Sequence, residues 1–116
     1  MKYYIDTNIA ISILKSRKNK TMFEDYCISS FSLIELERVK VLENLSFSYL
    51  PFNLLEIKKI KINFEKLREV SLILLDKSYF ADFVHLEISQ KLGLTFLTRD
   101  KRLSKVLHIY PNTKII

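Results

Sequence analysis

Glycine and cysteine each occur once in the 116 residues, and histidine twice. With Gly93 as the single glycine, the chain can write neither a glycine-rich phosphate loop nor a dinucleotide fingerprint. Cys27 alone allows no internal disulfide and no cysteine-based zinc site, and it fits a reducing, cytoplasmic setting. His85 and His108 are far apart, and neither belongs to an H-E-x-x-H helix. His85-Leu86-Glu87 matches the H-x-E half of a zinc-deaminase motif, but the P-C-x-x-C half is missing. Apolar runs such as Val70 to Leu75, interrupted by Ser71, fall far below the ~18 residues that span a bilayer. The N-terminal residues, with Asp6 close behind Met1, carry no signal-peptide pattern, so no membrane is expected as a partner.

What is present fits one globular domain over residues 1–116, 48% hydrophobic and 28% charged, with apolar residues spread along the length. Acidic residues are the minority: 13 Asp and Glu against 19 Lys and Arg give a formal charge of +6. Such a balance points to an anionic partner such as nucleic acid or a membrane surface.

Strands and helices alternate through short polar corners. Tyr3 to Ile5 reads as a buried strand, broken by Asp6-Thr7-Asn8, after which Ile9, Ile13 and Leu14 carry helical spacing as far as the basic Lys15 to Lys20 segment. Tyr26 to Ser29 reads as a second strand. Ser32-Leu33-Ile34-Glu35 then has the spacing of a capping box opening a helix. Phe47 to Leu50, stopped by Pro51, suits a short or edge strand. From Asn53 the stripe Leu54, Ile57, Ile60, Phe64, Leu67 and Ser71 predicts a helix, with Val70 to Tyr79 read as its continuation. Asp82 opens a further helix that ends at Gly93 as its left-handed C′ residue. Thr95 to Thr98 is a buried strand and Arg99 to Val106 a short basic helix. His108 to Tyr110 or Lys114 to Ile116 makes the last strand. This order predicts a mostly parallel α/β sheet, in which ligands bind outside the carboxyl ends of the strands.

Asp6, Asp82 and Asp100 lie at or beside such corners, and Glu35 lies in the first turn of the helix after the second strand. Parallel strands would bring the four carboxylates to one edge, where their mutual repulsion calls for a counter-cation. An all-oxygen set suits Mg²⁺ or Mn²⁺. In a basic protein the natural chemistry is phosphodiester hydrolysis. Each carboxylate also has an ordinary alternative: Asp6 as a helix cap, Glu35 as the capping-box partner of Ser32, Asp82 as a helix-dipole charge, and Asp100 as a turn residue. His85 reads as a core residue or a support to the site rather than as a ligand. The lysines between Lys58 and Arg68 read as a solvated helix face.

The motifs Tyr4-Ile5-Asp6-Thr7-Asn8, Ser32-Leu33-Ile34-Glu35-Leu36, Ala81-Asp82-Phe83-Val84-His85-Leu86 and Leu97-Thr98-Arg99-Asp100 resemble, in order, the four motifs of the PIN-domain nucleases. The resemblance implies a three-layer α/β/α fold around a central sheet of about four to five strands. It also implies Mg²⁺- or Mn²⁺-dependent cleavage of RNA. Asp6, Glu35, Asp82 and Asp100 would be the catalytic metal ligands, Asn8 and Thr98 supporting residues, and Arg99, Lys101 and Arg102 contacts to RNA. The compact length resembles the VapC-type toxins of toxin-antitoxin modules, which implies a homodimer and a cognate antitoxin. Two departures stand out. Arg102 replaces an acid common in relatives, which bears on a second metal position; Glu87 and Ser89 replace small residues, which bears on helix packing and on charge near the site.

The expected function is therefore a metal-dependent endoribonuclease, most simply a toxin. The alternatives are a non-catalytic RNA-binding or scaffold module of the same fold, or a nuclease of RNA processing with no antitoxin. A phosphotransfer domain built on Asp6 fits less well, because Asn8 stands where a phosphatase of that kind would place a second Asp.

Overall fold

A computed structural model describes residues 2–16, 23–46 and 50–116. Five strands, β1 (Tyr3–Ile5), β2 (Phe23–Ser29), β3 (Phe52–Leu55), β4 (Thr95–Thr98) and β5 (Thr113–Ile115), form one sheet in the order β3-β2-β1-β4-β5. Every pairing is parallel. Side chains of successive strand residues point to opposite faces, and both faces are apolar. Tyr4, Cys27 and Phe96 enter one core cluster, while Ile5, Ile28 and Leu97 enter the other.

Helices cover each face. α1 (Thr7–Ser16) and α2 (Ser30–Glu43) bring Ile9, Ala10 and Leu36 onto the Ile5 side. α3 (Phe64–Leu74), α4 (Tyr79–Lys91) and a 3₁₀ helix (Lys101–Val106) bring Val70, Phe83, Leu86 and Leu103 onto the Tyr4 side. The result is the expected α/β/α layering, with a wholly parallel sheet. Among the described residues no helix is long and apolar enough to cross a membrane.

The structure corrects several expectations. The helix anticipated from Asn53 is instead strand β3, followed by irregular chain; α3 begins only at Phe64, where Asn63 Oδ1 accepts from the Glu65 and Lys66 amides. The i, i+3 spacing of Leu54, Ile57 and Ile60 imitates a helix. Pairing with β2 decides the matter: Cys27, Ile28 and Ser29 stand in register with Asn53, Leu54 and Leu55. Most of the expected edge strand at 47–50 lies outside the described residues. The Val70 to Tyr79 stretch is not continuous helix, because Leu75 takes the left-handed conformation at φ 54 and stops α3. Tyr79, not Asp82, starts α4, leaving Asp82 in its first turn. The second strand starts earlier than expected, at Phe23, and the basic helix is 3₁₀ from Lys101; of the two candidate last strands, Lys114 to Ile116 is the nearer, since β5 covers Thr113–Ile115.

Gly93 fits its expected place after α4, at φ 67. Glu87 is buried, yet it lies away from the acidic corners. Tyr110 Oη donates to it at 2.7 Å and Lys66 Nζ stands 3.2 Å off, so its charge is met outside the acidic cleft. Ser89 returns its hydroxyl to the Leu86 carbonyl.

Candidate active site

The chain runs from β1 to β2 on one side of the sheet, then crosses to place β4 on the other side of β1. A crevice opens where the strand order reverses, at the carboxyl ends of β1 and β4. Asp6 is the first residue beyond β1 and Asp100 the second beyond β4. Asp6 donates its amide to the Leu97 carbonyl at 2.8 Å, which holds the two strand ends together. Thr98, fully buried, completes the joint. Its hydroxyl donates to Asp6 Oδ2 at 2.7 Å and accepts the Asp100 amide at 3.0 Å.

Glu35 reaches the same crevice from α2. The expected capping box with Ser32 is not formed. Ser29 is the N-cap, accepting from the Ser32 amide while Ser32 Oγ accepts from the Ser29 amide. Glu35 is thereby released from the helix end and makes other bonds: Thr7 Oγ1 donates to Oε1 at 2.7 Å, and His85 Nε2 contacts the same oxygen. Burial works to raise the Glu35 pKa, but the His85 hydrogen bond and charge, with the Thr7 bond, outweigh it and hold the carboxyl below its usual value.

His85 is buried in an aromatic setting of Tyr4, Phe31 and Phe96. Its Nδ1 lies 2.6 Å from Tyr4 Oη. In a neutral ring that donates from Nε2 to Glu35, Nδ1 accepts the Tyr4 proton, and in a charged ring both nitrogens donate and the Tyr4 oxygen accepts. Burial pushes the Tyr4 phenol up to about 12, so the donor is intact at ordinary pH. The same hydroxyl contacts Ser29 Oγ at 2.7 Å, tying the α2 cap to the histidine. His85 thus supports Glu35 from behind.

Asp82 comes from the first turn of α4. Burial, then the charges of Asp100, Asp6 and Glu35, raise its pKa to about 6, against the pull of His85. The Arg102 guanidinium pairs with it, with Nη2 3.0 Å from Asp82 Oδ2. The same side chain brackets Asp100 through Nε at 3.0 and 3.1 Å and through Nη2, and it pairs with Asp76 through Nη1.

Asp6, Asn8, Glu35, Asp82 and Asp100 line one cleft of about 250 Å³, together with Arg38, Ser78, His85 and Arg102. Thr98 lies beneath it. Of the three residues expected to meet RNA, only Arg102 is in the lining; Arg99 turns to Ser12 Oγ at 3.3 Å, and Lys101 is outside the lining and exposed. Sequence reasoning missed Thr7, Tyr4, Arg38 and Asp76. Thr7 had a signal, being the hydroxyl beside Asp6, whereas Asp76 and Arg38 sit outside every motif. Arg38 has no ion pair among the described residues.

The donor set is all oxygen, which suits a hard divalent cation. Asp6, Glu35 and Asp82 each keep one carboxylate oxygen without a protein hydrogen bond among the described residues. As placed, no three His, Cys, Asp or Glu side chains among the described residues are close enough to hold a metal ion. Arg102 instead occupies the Asp82 and Asp100 carboxylates.

A family model described as PIN domain matches residues 3–108. Among curated proteins, none matches the chain.

Proposed function

The chain belongs to the PIN-domain family, whose members are generally nucleases acting on RNA or DNA, and from this premise we propose that it is a metal-dependent endoribonuclease. One observation carries the reading: four carboxylates, from the ends of β1 and β4 and from α2 and α4, line a single cleft of an otherwise basic protein. Setting those four aside leaves nine Asp and Glu against 19 Lys and Arg, a formal +10 on the rest of the molecule. Such a body attracts phosphate while the cleft itself repels it.

Asp6, Glu35, Asp82 and Asp100 would hold Mg²⁺ or Mn²⁺, which when bound neutralises phosphate charge and lowers the pKa of water. The chain's own residues do the rest. Thr98 fixes the orientation of Asp6, and Thr7 with His85 keeps Glu35 ionised. Asp82 keeps Oδ1 without a protein hydrogen bond among the described residues, which leaves that oxygen available to the cation. Arg38, with no ion pair among the described residues, offers its charge to a phosphate at the mouth, and Asn8 an exposed amide.

A toxin of the VapC type, cytoplasmic, is the biological setting that the four motifs and the basic charge support. A homodimer and an antitoxin partner belong to that reading. Exposed Ile34, Val41 and Leu42 on α2 supply apolar surface for such contacts. Co-purification of a small DNA-binding protein encoded beside this gene is expected; its absence favours a nuclease of RNA processing.

A non-catalytic RNA-binding role is the second reading, favoured by the way Arg102 already neutralises two of the carboxylates. Purified protein incubated with RNA and Mn²⁺ separates the two. The nuclease is expected to cleave, and Asp6→Asn, which keeps shape and removes charge, to abolish cleavage with the fold intact. Equal cleavage by the mutant, free of contaminating nuclease, overturns the assignment. Salt-sensitive RNA binding with no Mn²⁺ uptake selects the second reading.

A further inference from the structure

Arg102 stands at the centre of three aspartates drawn from three segments. Asp100 precedes the 3₁₀ helix, Asp82 lies in the first turn of α4, and Asp76 lies in the turn between α3 and α4. Nε and Nη2 face Asp100, Nη2 also reaches Asp82 Oδ2 at 3.0 Å, and Nη1 pairs with Asp76. The Arg102 amide adds a 3.0 Å bond to Asp100 Oδ1. Both Asp100 oxygens are thereby engaged. Asp76 is itself braced, since its Oδ1 accepts from the Ser78 amide at 3.0 Å and from Ser78 Oγ at 2.7 Å.

Lone pairs committed to a guanidinium are not free to ligate a cation, and a second positive charge between the same carboxylates is repelled. The guanidinium is also permanently charged, so it cannot leave by losing a proton. Its side chain is 39% exposed, against 17% for Asp82 and 23% for Asp100, and its outer partner Asp76 is at the rim.

We propose that Arg102 is a built-in competitor for the divalent cation, held over Asp82 and Asp100 by its anchor Asp76, so that metal loading requires the guanidinium to withdraw from these two carboxylates. The inference rests on the metal-dependent reading of the cleft. It makes Arg102 a regulator of metal affinity rather than a contact to RNA. Asp76, outside all four motifs, becomes the residue that sets how firmly the competitor is seated.

Mn²⁺ titration of the full chain, followed by calorimetry and by the electron-paramagnetic-resonance signal of free Mn²⁺, tests this without reference to cleavage. Arg102→Gln is expected to tighten Mn²⁺ binding by about tenfold, the scale of one lost charge-assisted hydrogen bond. Asp76→Asn is expected to tighten it by a smaller factor, and the double variant to match Arg102→Gln, because both act through one side chain. Unchanged or weaker binding in Arg102→Gln, with far-UV circular dichroism matching the wild type, overturns the proposal. Should Arg102→Gln fail to fold, Asp76→Asn decides: tighter binding supports the competitor and unchanged binding overturns it. If neither the wild type nor any variant takes up Mn²⁺, the metal reading fails and the competitor fails with it. Tight, variant-independent binding leaves the metal reading standing and removes only the competitor.

Discussion

Thr98 and Asp6, 92 positions apart in the chain, are joined by a 2.7 Å hydrogen bond from the threonine hydroxyl to the aspartate Oδ2. That bond joins the ends of the two neighbouring strands on which the cleft is built. Because Thr98 also accepts the Asp100 amide, one buried hydroxyl orients two of the four carboxylates. Thr98→Val keeps the shape and removes both bonds. It is expected to cost about 1.5–3 kcal/mol in urea unfolding, the scale of a hydrogen bond to a charged group, and to reduce cleavage. Unchanged stability and turnover would show that Asp6 is held by something else.

Tyr4→Phe tests the support behind Glu35. The lost hydroxyl touches His85 Nδ1, Ser29 Oγ and, at 3.4 Å, Ser32 Oγ, all buried. A loss of about 1–3 kcal/mol in chemical denaturation is expected, since several buried polar atoms lose one partner together. A variant as stable as the wild type would mean that these groups find each other without Tyr4.

Asp82 and Glu35 give the metal-free protein opposite responses to acid. Burial and neighbouring negative charge raise Asp82 from 3.8 to about 6. The folded state therefore binds more protons than the unfolded state across that window, and the Asp82 contribution to stability falls as pH rises through it. Glu35 is held low, so its contribution is present above its ordinary value of 4.5 and is lost as pH falls through the folded value. In chelator, the melting temperature of Asp82→Asn minus that of the wild type is expected to climb between pH 4 and 6. A flat difference across that range would assign the pH response to other groups.

Gly93→Ala probes the end of α4. The backbone is left-handed at φ 67, and nothing lies within 4 Å of an added Cβ. The cost is conformational alone, about 1–2 kcal/mol in thermal or chemical unfolding, with cleavage unaffected at temperatures where the protein stays folded. A larger loss would reveal packing that the open space around Gly93 does not suggest.

Features governed by neighbouring residues were legible in the sequence. The Asp6 corner, the Thr95 to Thr98 strand and the left-handed Gly93 all follow from local propensity and turn chemistry. Features decided by distant partners were not. Strand β3 carries a helical-looking spacing, and only pairing with β2 makes it a strand. The spacing from Ser32 to Glu35 is that of a capping box, yet a second serine three residues earlier takes the cap, and Glu35 turns to Thr7 and His85, 28 and 50 positions away. In the sequence Arg102 reads as a missing acid and as a contact to RNA. Its engagement with Asp76 and Asp82 depends on the α3–α4 turn reaching the end of β4, which no local pattern records.

The strand order also governs when the cleft becomes complete during synthesis. β1 emerges first and waits for β4, so Thr98 and Asp100 are synthesised after Asp6, Glu35 and Asp82. A nascent chain therefore carries Asp6 without Thr98, the residue that orients it, across the 92 positions between them.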